Sequence, residues 1–175
     1  MRDSEFFLTE KEEKKRYETH NNDINDPGYR DFTAPVVNAI TGSFGQDSKG
    51  LDFGSGTGPV ISAALKEKGF DIDTYDIYFD NVPEKLKVKY DYIVCCETAE
   101  HFKNPAAEFP LFERLLKPMG AVFLMTEMFE EGMDFDSWYY KNDPTHVFSI
   151  QKKLLNLSGK SIVLTGCYLP AASFP

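Results

Sequence analysis

Leu51-Asp52-Phe53-Gly54-Ser55-Gly56-Thr57-Gly58 is the stretch that decides the fold. Gly50 to Phe53 reads as the end of a short strand, and Pro59 to Lys68 as a helix. Pro59 is tolerated in the first helical turn and Gly69 stops the helix. Glycines at alternate positions between them permit positive φ and leave no Cβ in the way of a ligand. A loop in this place meets a helix N-terminus, where backbone N–H groups point outward.

Working outward, the chain alternates strands and helices. Asp71 to Tyr78 is strand-like, and Tyr92 to Cys96 and Ala121 to Thr126 are short apolar runs of the kind a parallel sheet buries on both faces. Pro105 to Leu116 reads as a helix ended by Lys117-Pro118-Met119-Gly120, Ile150 to Leu157 as another, and Ser161 to Thr165 as a final strand. Upstream, Thr9 to His20 is charged and helical, a turn-rich loop runs to Gly28, and a helix over Tyr29 to Ile40 carries Phe32, Val36, Val37 and Ile40 at helical spacing. Glu130 to His146 is a long polar and aromatic loop. The expected fold is α/β: a Rossmann-like, doubly wound, mostly parallel sheet with helices on both faces. A single domain over 1–175 is expected, with 1–45 as a helical cap and 46–175 as the Rossmann-like core.

Composition narrows the partners. The 175 residues carry 28 Asp and Glu against 19 Lys and Arg, a net charge of −9. Nucleic-acid binders need the opposite balance to neutralise phosphates, and an anionic membrane surface is disfavoured for the same reason. No apolar run approaches the ~20 residues that span a bilayer. The three cysteines, Cys95, Cys96 and Cys167, form no Cys-x-x-Cys pair. That excludes a conventional four-cysteine zinc site and argues against a disulfide framework; no metal site is expected, and a reducing cytoplasm is the expected compartment.

The loop's ligand follows from what it lacks. A dinucleotide fingerprint counted from Gly54 puts its third glycine at residue 59, which is proline, and no Gly-Lys-Ser/Thr ending follows Gly58. Asp52 would also repel a pyrophosphate. A cationic ligand is favoured instead. S-adenosylmethionine carries a sulfonium, an ammonium and a ribose diol, and Asp76, at the end of the second strand, is placed to accept from the diol. Gly54 to Gly58 would equally serve as a plain strand–helix turn; the acid that follows favours the ligand.

These motifs resemble those of the class I S-adenosylmethionine-dependent methyltransferases. Leu51 to Gly58 is similar to the family's first motif and Asp76 to its strand-two acid. Tyr90-Asp91-Tyr92-Ile93-Val94-Cys95-Cys96 followed by Glu97-Thr98-Ala99-Glu100-His101 is similar to its fourth-strand motif, with an E-x-x-E-H helix start. Leu115-Leu116-Lys117-Pro118-Met119-Gly120 is similar to its LLKPGG turn. A closer likeness is to a largely uncharacterised bacterial subgroup, through Arg16-Tyr17, His20-Asn21, Gly28-Tyr29 and Trp138 to Val147. The resemblance implies S-adenosylmethionine as cofactor. The backbone of Gly54, Ser55 and Gly56 would pack on its methionine part, and Asp52 would order the loop and reach the ammonium. Asp76 would hold the ribose, while Cys96 and Glu97 would line the floor near the sulfonium.

Two departures stand out. Only residues 77–90 separate Asp76 from Asp91, too few for a full crossover with a third strand. That strand is expected to be missing or reduced to Leu86 to Lys89, and the C-terminal strands look incomplete. The exposed edges would need cover from the N-terminal helices or from a second subunit of a homo-oligomer.

For catalysis, methyl transfer is an in-line displacement in which orientation does much of the work, and a base is needed only where the nucleophile must lose a proton. His146 is the candidate base, with Asp143 three residues earlier to orient it; the same four residues would also make a structural turn. His101 is expected to share a helical face with Glu97 as a simple i,i+4 pair. His20 belongs to a cofactor lid or a linker, Trp138 to Tyr140 to an acceptor wall or a loop anchor, and Cys95 and Cys96 to the buried strand. The expected activity is methylation of a small molecule; the alternative is an S-adenosylmethionine-binding protein without catalysis.

Overall fold

The computed structural model describes residues 1–20, 23–150 and 161–164. Five strands form one sheet: β1 (Lys49–Phe53), β2 (Asp71–Tyr75), β3 (Tyr90–Cys96), β4 (Leu116–Met125) and β5 (Ser161–Leu164), in the order β2-β1-β3-β4-β5. All four pairings are parallel. The helices are α1 (Glu10–Tyr17), α2 (Pro27–Ser43), α3 (Val60–Glu67) and α4 (Pro105–Leu115).

The apolar runs explain the layering. In β3, Tyr92 and Val94 face one side while Ile93 and Cys95 face the other, and in β4 Phe123 and Met125 oppose Val122 and Leu124. Both faces are therefore buried, as parallel sheets require. Val36, Val37 and Ile40 of α2 and Ile61 and Leu65 of α3 cover the first face. Phe112 and Leu115 of α4 cover the second. The helix that opens at Pro27 is thus packed into the sheet's own core.

Chain order places the site. From β1 the chain moves outward to β2, then crosses back over β1 to β3 and continues away. The crevice between the carboxyl ends of β1 and β3 is where the winding reverses, and open α/β sheets bind ligands there.

Two expectations need correction, while the third strand is missing as one of the two alternatives had it: no strand occurs among residues 76–89, and Pro83–Lys87 forms a 3-10 turn. That segment still covers the β2 edge, because Lys85 Nζ donates to the Thr74 carbonyl at 2.8 Å. The second strand stops at Tyr75, short of Tyr78, because the Asp76 carboxylate turns the chain by accepting from the Tyr78 and Phe79 amides. Glu97 and His101 do not share a helix: Glu97 sits at φ 45°, a left-handed conformation that no helix accommodates, and only Ala99–His101 forms a 3-10 turn. The helix expected over 150–157 lies beyond Ile150 outside the described residues, as do Asn21, Thr165 and Cys167. No helix among the described residues is long and apolar enough to cross a membrane.

Candidate active site

At the carboxyl end of β1 the chain turns sharply. Gly54 has φ 81° and Gly56 φ 64°, left-handed values that cost glycine little. A Cβ on Gly54 would overlap the Thr98 side chain, so the loop after β1 lies directly on the residues after β3. The Gly54 and Ser55 amides both donate to the Tyr75 carbonyl, at 2.8 and 3.2 Å, and the Gly56 amide donates to Asp76 Oδ2 at 3.0 Å. Asp76 Oδ1 accepts from the Tyr78 and Phe79 amides at 2.8 and 3.1 Å. The expected ribose acceptor therefore also builds the loop. Three of the roughly four lone-pair positions on a carboxylate are taken, which leaves one for a ligand hydroxyl.

Asp52 is buried and accepts from Ser62 Oγ of α3 at 2.8 Å. Burial raises its pKa, the serine bond lowers it, and the balance is pushed up to about 6. Tyr29, at the start of α2, comes close enough to Cys96, Asp52 and Glu97 for their charges to raise its pKa, although burial contributes most. Cys95 and Cys96 are free, and burial holds both thiols well above the ordinary range, so neither is a ready nucleophile.

The carboxyl end of β3 carries the densest chemistry. The Glu97 amide donates to the Met125 carbonyl at 2.8 Å, fixing its left-handed turn against β4. Glu97 Oε2 lies 3.1 Å from Tyr140 Oη, whereas its Oε1 is buried without a partner. Burial, then the neighbouring Glu100 charge, raises its pKa well above the usual carboxylate range. Tyr140 Oη also donates to Glu100 Oε1 at 2.5 Å, and Thr126 Oγ1 donates to Glu100 Oε2 at 2.9 Å. A phenol has one proton, so its contact with Glu97 calls for a proton on that carboxyl, in keeping with the raised pKa.

His146 joins this cluster. The sheet is parallel throughout, so His146 lies at the same end as Gly54 to Gly58. Its ring packs 4.1 Å from Tyr140 and 4.9 Å from His101, centroid to centroid. Asp143, expected to orient it, does not touch the imidazole. Its carboxylate accepts from the Thr145 amide and hydroxyl at 2.9 and 2.6 Å and from Arg16 at 2.9 Å, and only its carbonyl meets the His146 amide. The imidazole is oriented instead by the Tyr140 carbonyl, 2.6 Å from Nδ1. Burial lowers the His146 pKa against the opposing pull of Glu100. Burial thus favours the neutral ring, and the carbonyl, which can only accept, places its proton on Nδ1 and leaves a lone pair on Nε2.

The remaining candidates frame the site. Trp138 is buried against Phe129, Phe135 and Tyr140, and its Nε1 donates to Glu127 at 2.8 Å, so it anchors the loop. Tyr139 donates to the same carboxylate. Helix α1 lies over this end of the sheet. Thr9 and Glu12 form its capping box, Glu13 accepts from Tyr78 Oη at 2.6 Å and pairs with Lys103 at 3.0 Å, and the Tyr17 ring stands 5.2 Å from His101. His20 stands beside Tyr17, its pKa lowered first by burial and then by Arg16.

Comparison with known proteins agrees with this geometry. A family model described as a methyltransferase domain matches residues 28–157. A ubiquinone biosynthesis O-methyltransferase from Pseudomonas aeruginosa (strain UCBPP-PA14) is 32% identical over 82 residues, covering 47% of this chain and 35% of the relative. One from Dechloromonas aromatica (strain RCB) shows the same identity and coverage, and one from Paraburkholderia phytofirmans (strain DSM 17436 / LMG 22146 / PsJN) is 29% identical over 91 residues, 52% of this chain and 39% of the relative. The matched part thus spans little more than a third of these relatives. No solved structure matches the chain significantly.

Proposed function

The chain belongs to the family of proteins that carry this methyltransferase domain, and from that premise we propose that it transfers a methyl group from S-adenosylmethionine to a small-molecule acceptor. The observation that carries the reading is the crevice between β1 and β3. A glycine loop there is bound to Asp76, and Asp52, Asp76 and Glu97 surround it with no lysine or arginine in ion-pair contact with them among the described residues. Such a site fits a ligand bearing a sulfonium and an ammonium and repels a pyrophosphate.

The cofactor supplies a methyl group already activated on sulfur. The chain supplies placement. Gly54, Ser55 and Gly56 would present backbone to the methionine part, Asp52, held by Ser62 of α3, would compensate the ammonium, and the free lone pair of Asp76 would take a ribose hydroxyl. Cys96 and Glu97 form the floor. His146 serves the acceptor side, with Nε2 left free for the acceptor or for whatever holds it. With the cofactor bound, these residues would hold the acceptor's nucleophile in line with the activated methyl group, and a proton released by the acceptor would pass to the acceptor side of the site or to water. The whole chain acts as one methyltransferase unit in the cytoplasm, with α1 as its cap.

Thermal denaturation with added ligand tests this. S-adenosylmethionine and its demethylated product should raise the melting temperature, since a ligand that binds only the folded state stabilises it. NAD and ATP should leave it unchanged, and tighter binding of NAD would overturn the assignment.

A further inference from the structure

We propose that the methyl acceptor is a small, flat, apolar acid, and that Arg2 and Lys141 bind its carboxylate on the wall of a cavity beside His146. That the acid is the acceptor rests on the methyltransferase reading; that the cavity takes an acid does not. The cavity measures about 490 Å³, within the range of pockets that hold small ligands. It lies between the segment before α1 and the loop after β4, and His146 and Tyr140 line it. The same two side chains belong to the cluster around Glu97, so the cavity adjoins the carboxyl end of β3.

The walls are aromatic. Trp138, which anchors the loop, lines the cavity together with Phe135, Phe148 and Phe6. The rings of Trp138 and Phe135 stand 6.1 Å apart, centroid to centroid. Phe6 is 61% exposed and Phe135 50%, although aromatic side chains gain most from burial. Exposed rings from two distant parts of the chain, gathered at one cavity, are surface left for a flat apolar partner.

Charge at this cavity runs against the rest of the chain. The net charge is −9, yet Arg2 and Lys141 meet here with one acid, Asp3. Arg2 is fixed in place: its amide donates to the Val147 carbonyl at 2.7 Å, and its guanidinium to the Pro144 and Lys141 carbonyls, both at 3.0 Å. Lys141 Nζ donates to the Asp136 carbonyl and stands 5.7 Å from the centre of the Phe135 ring. Carbonyls and a ring face orient a cation without neutralising it. Among the described residues neither cation has a carboxylate within ion-pair distance, and Asp143 is already claimed by Arg16 and Thr145. The guanidinium has about five N–H donors, so most remain for an incoming carboxylate, whose planar shape it matches. Elsewhere the surplus of acids repels an anion; the two held cations admit it here.

An acid held in this way would rest its flat body on the aromatic wall and turn its nucleophile toward His146 Nε2. The segment before α1 is then part of the acceptor site. It is tied at its other end, where Lys103 Nζ donates to the Leu8 carbonyl at 3.1 Å.

The chain holds one tryptophan, Trp138, so tryptophan fluorescence of the full chain reports on this cavity. Benzoate, benzamide and benzylamine serve as probes of similar shape and different charge, titrated without cofactor. Benzoate should bind roughly 10-fold or more tighter than benzamide, the scale of one hydrogen bond to a charged group, and benzylamine should bind weakest. Arg2→Gln and Lys141→Gln should each remove most of that preference, with benzamide affinity changed less than about 2-fold. Arg2 also ties down its segment, so if Arg2→Gln weakens all three probes alike, Lys141→Gln decides, since it leaves the bonds from Arg2 to backbone carbonyls in place. No response to benzoate, equal affinity for benzoate and benzamide in the native chain, or a preference that survives Lys141→Gln would overturn the site. Failure of S-adenosylhomocysteine to bind while the benzoate preference holds would instead strike the methyltransferase reading and leave the acid site standing.

Discussion

At the amino edge of the sheet, charges stand in pairs near solvent. Lys49 Nζ lies 3.1 Å from Asp73 Oδ2 and 3.8 Å from Asp71 Oδ2, and Asp91 accepts from Lys117 Nζ at 2.7 Å and from the Lys49 amide at 2.8 Å. Burial raises the Asp91 pKa, but these donors outweigh it and hold the carboxyl below the usual range. At the carboxyl edge the pattern reverses. Asp52 and Glu97 are held above the usual range by burial, and no lysine or arginine in ion-pair contact offsets it among the described residues. Each edge even has its own non-glycine residue in the left-handed region. Met119 (φ 66°) is 94% exposed in a turn, whereas Glu97 (φ 45°) lies in the cluster. A fold alone needs only the first kind of edge. Uncompensated buried acids are retained where they meet a ligand, which is why perturbed groups gather at functional sites.

Substitutions can break this contrast. The largest effect is expected from His146→Ala, which should lower turnover roughly 100-fold or more, the scale of proton-transfer or ligand roles, while cofactor affinity measured by calorimetry stays nearly intact. A comparable loss of cofactor affinity would move His146 to the other side of the site. Next is Asp76→Ala, which removes the ribose acceptor and frees the Gly56 amide. It should weaken cofactor binding by about 3 kcal/mol, roughly 100-fold. Asp91→Ala at the opposite edge should cost about 1 kcal/mol of stability and leave cofactor binding unchanged.

Asp52→Asn sharpens the contrast through pH. The carboxyl is raised in the folded state to about 6 from an unfolded value of about 3.9. The folded chain then binds more protons between those values, so the native protein loses stability as pH rises through that window. Without cofactor, the asparagine variant should gain on the native chain by roughly 1–3 kcal/mol between pH 4 and pH 8, read from urea midpoints. An advantage that shrinks with rising pH would mean that Asp52 is stabilised as a carboxylate. The smallest effect belongs to Met119→Gly, which should stabilise by up to about 1 kcal/mol, because a left-handed residue with a Cβ carries a penalty that glycine avoids. Glu97→Gly should show no such simple gain, since it also removes Tyr140's partner.

Much of the frame was legible in the chain. Strands β1, β3 and β4 are buried on both faces and read as apolar runs, and the glycine loop is set by local residue type. The end of β2 was not legible. It depends on the Asp76 carboxylate accepting from the Tyr78 and Phe79 amides, a turn that a run of strand-like residues does not announce. The cluster around Glu97 was read only in pieces. Glu97 to His101 has helical spacing, and nothing in a glutamate announces a positive φ; the turn is imposed by the bond from its amide to Met125. Asp143 looked like the orienting acid for His146 by proximity in sequence, yet the Thr145 hydroxyl and amide and Arg16 claim it. Sequence neighbours compete for partners only once the fold has gathered the rest.

The central claim is that the crevice between the carboxyl ends of β1 and β3 holds S-adenosylmethionine. A crystal structure of the chain with S-adenosylhomocysteine tests it most directly. The account predicts the ligand across the loop from Gly54 to Gly58, with a ribose hydroxyl on Asp76 and the sulfur toward Glu97 and the Tyr140–His146 side. A ligand bound at the amino edge, or in the crevice with Asp76 turned away from the ribose, would contradict it.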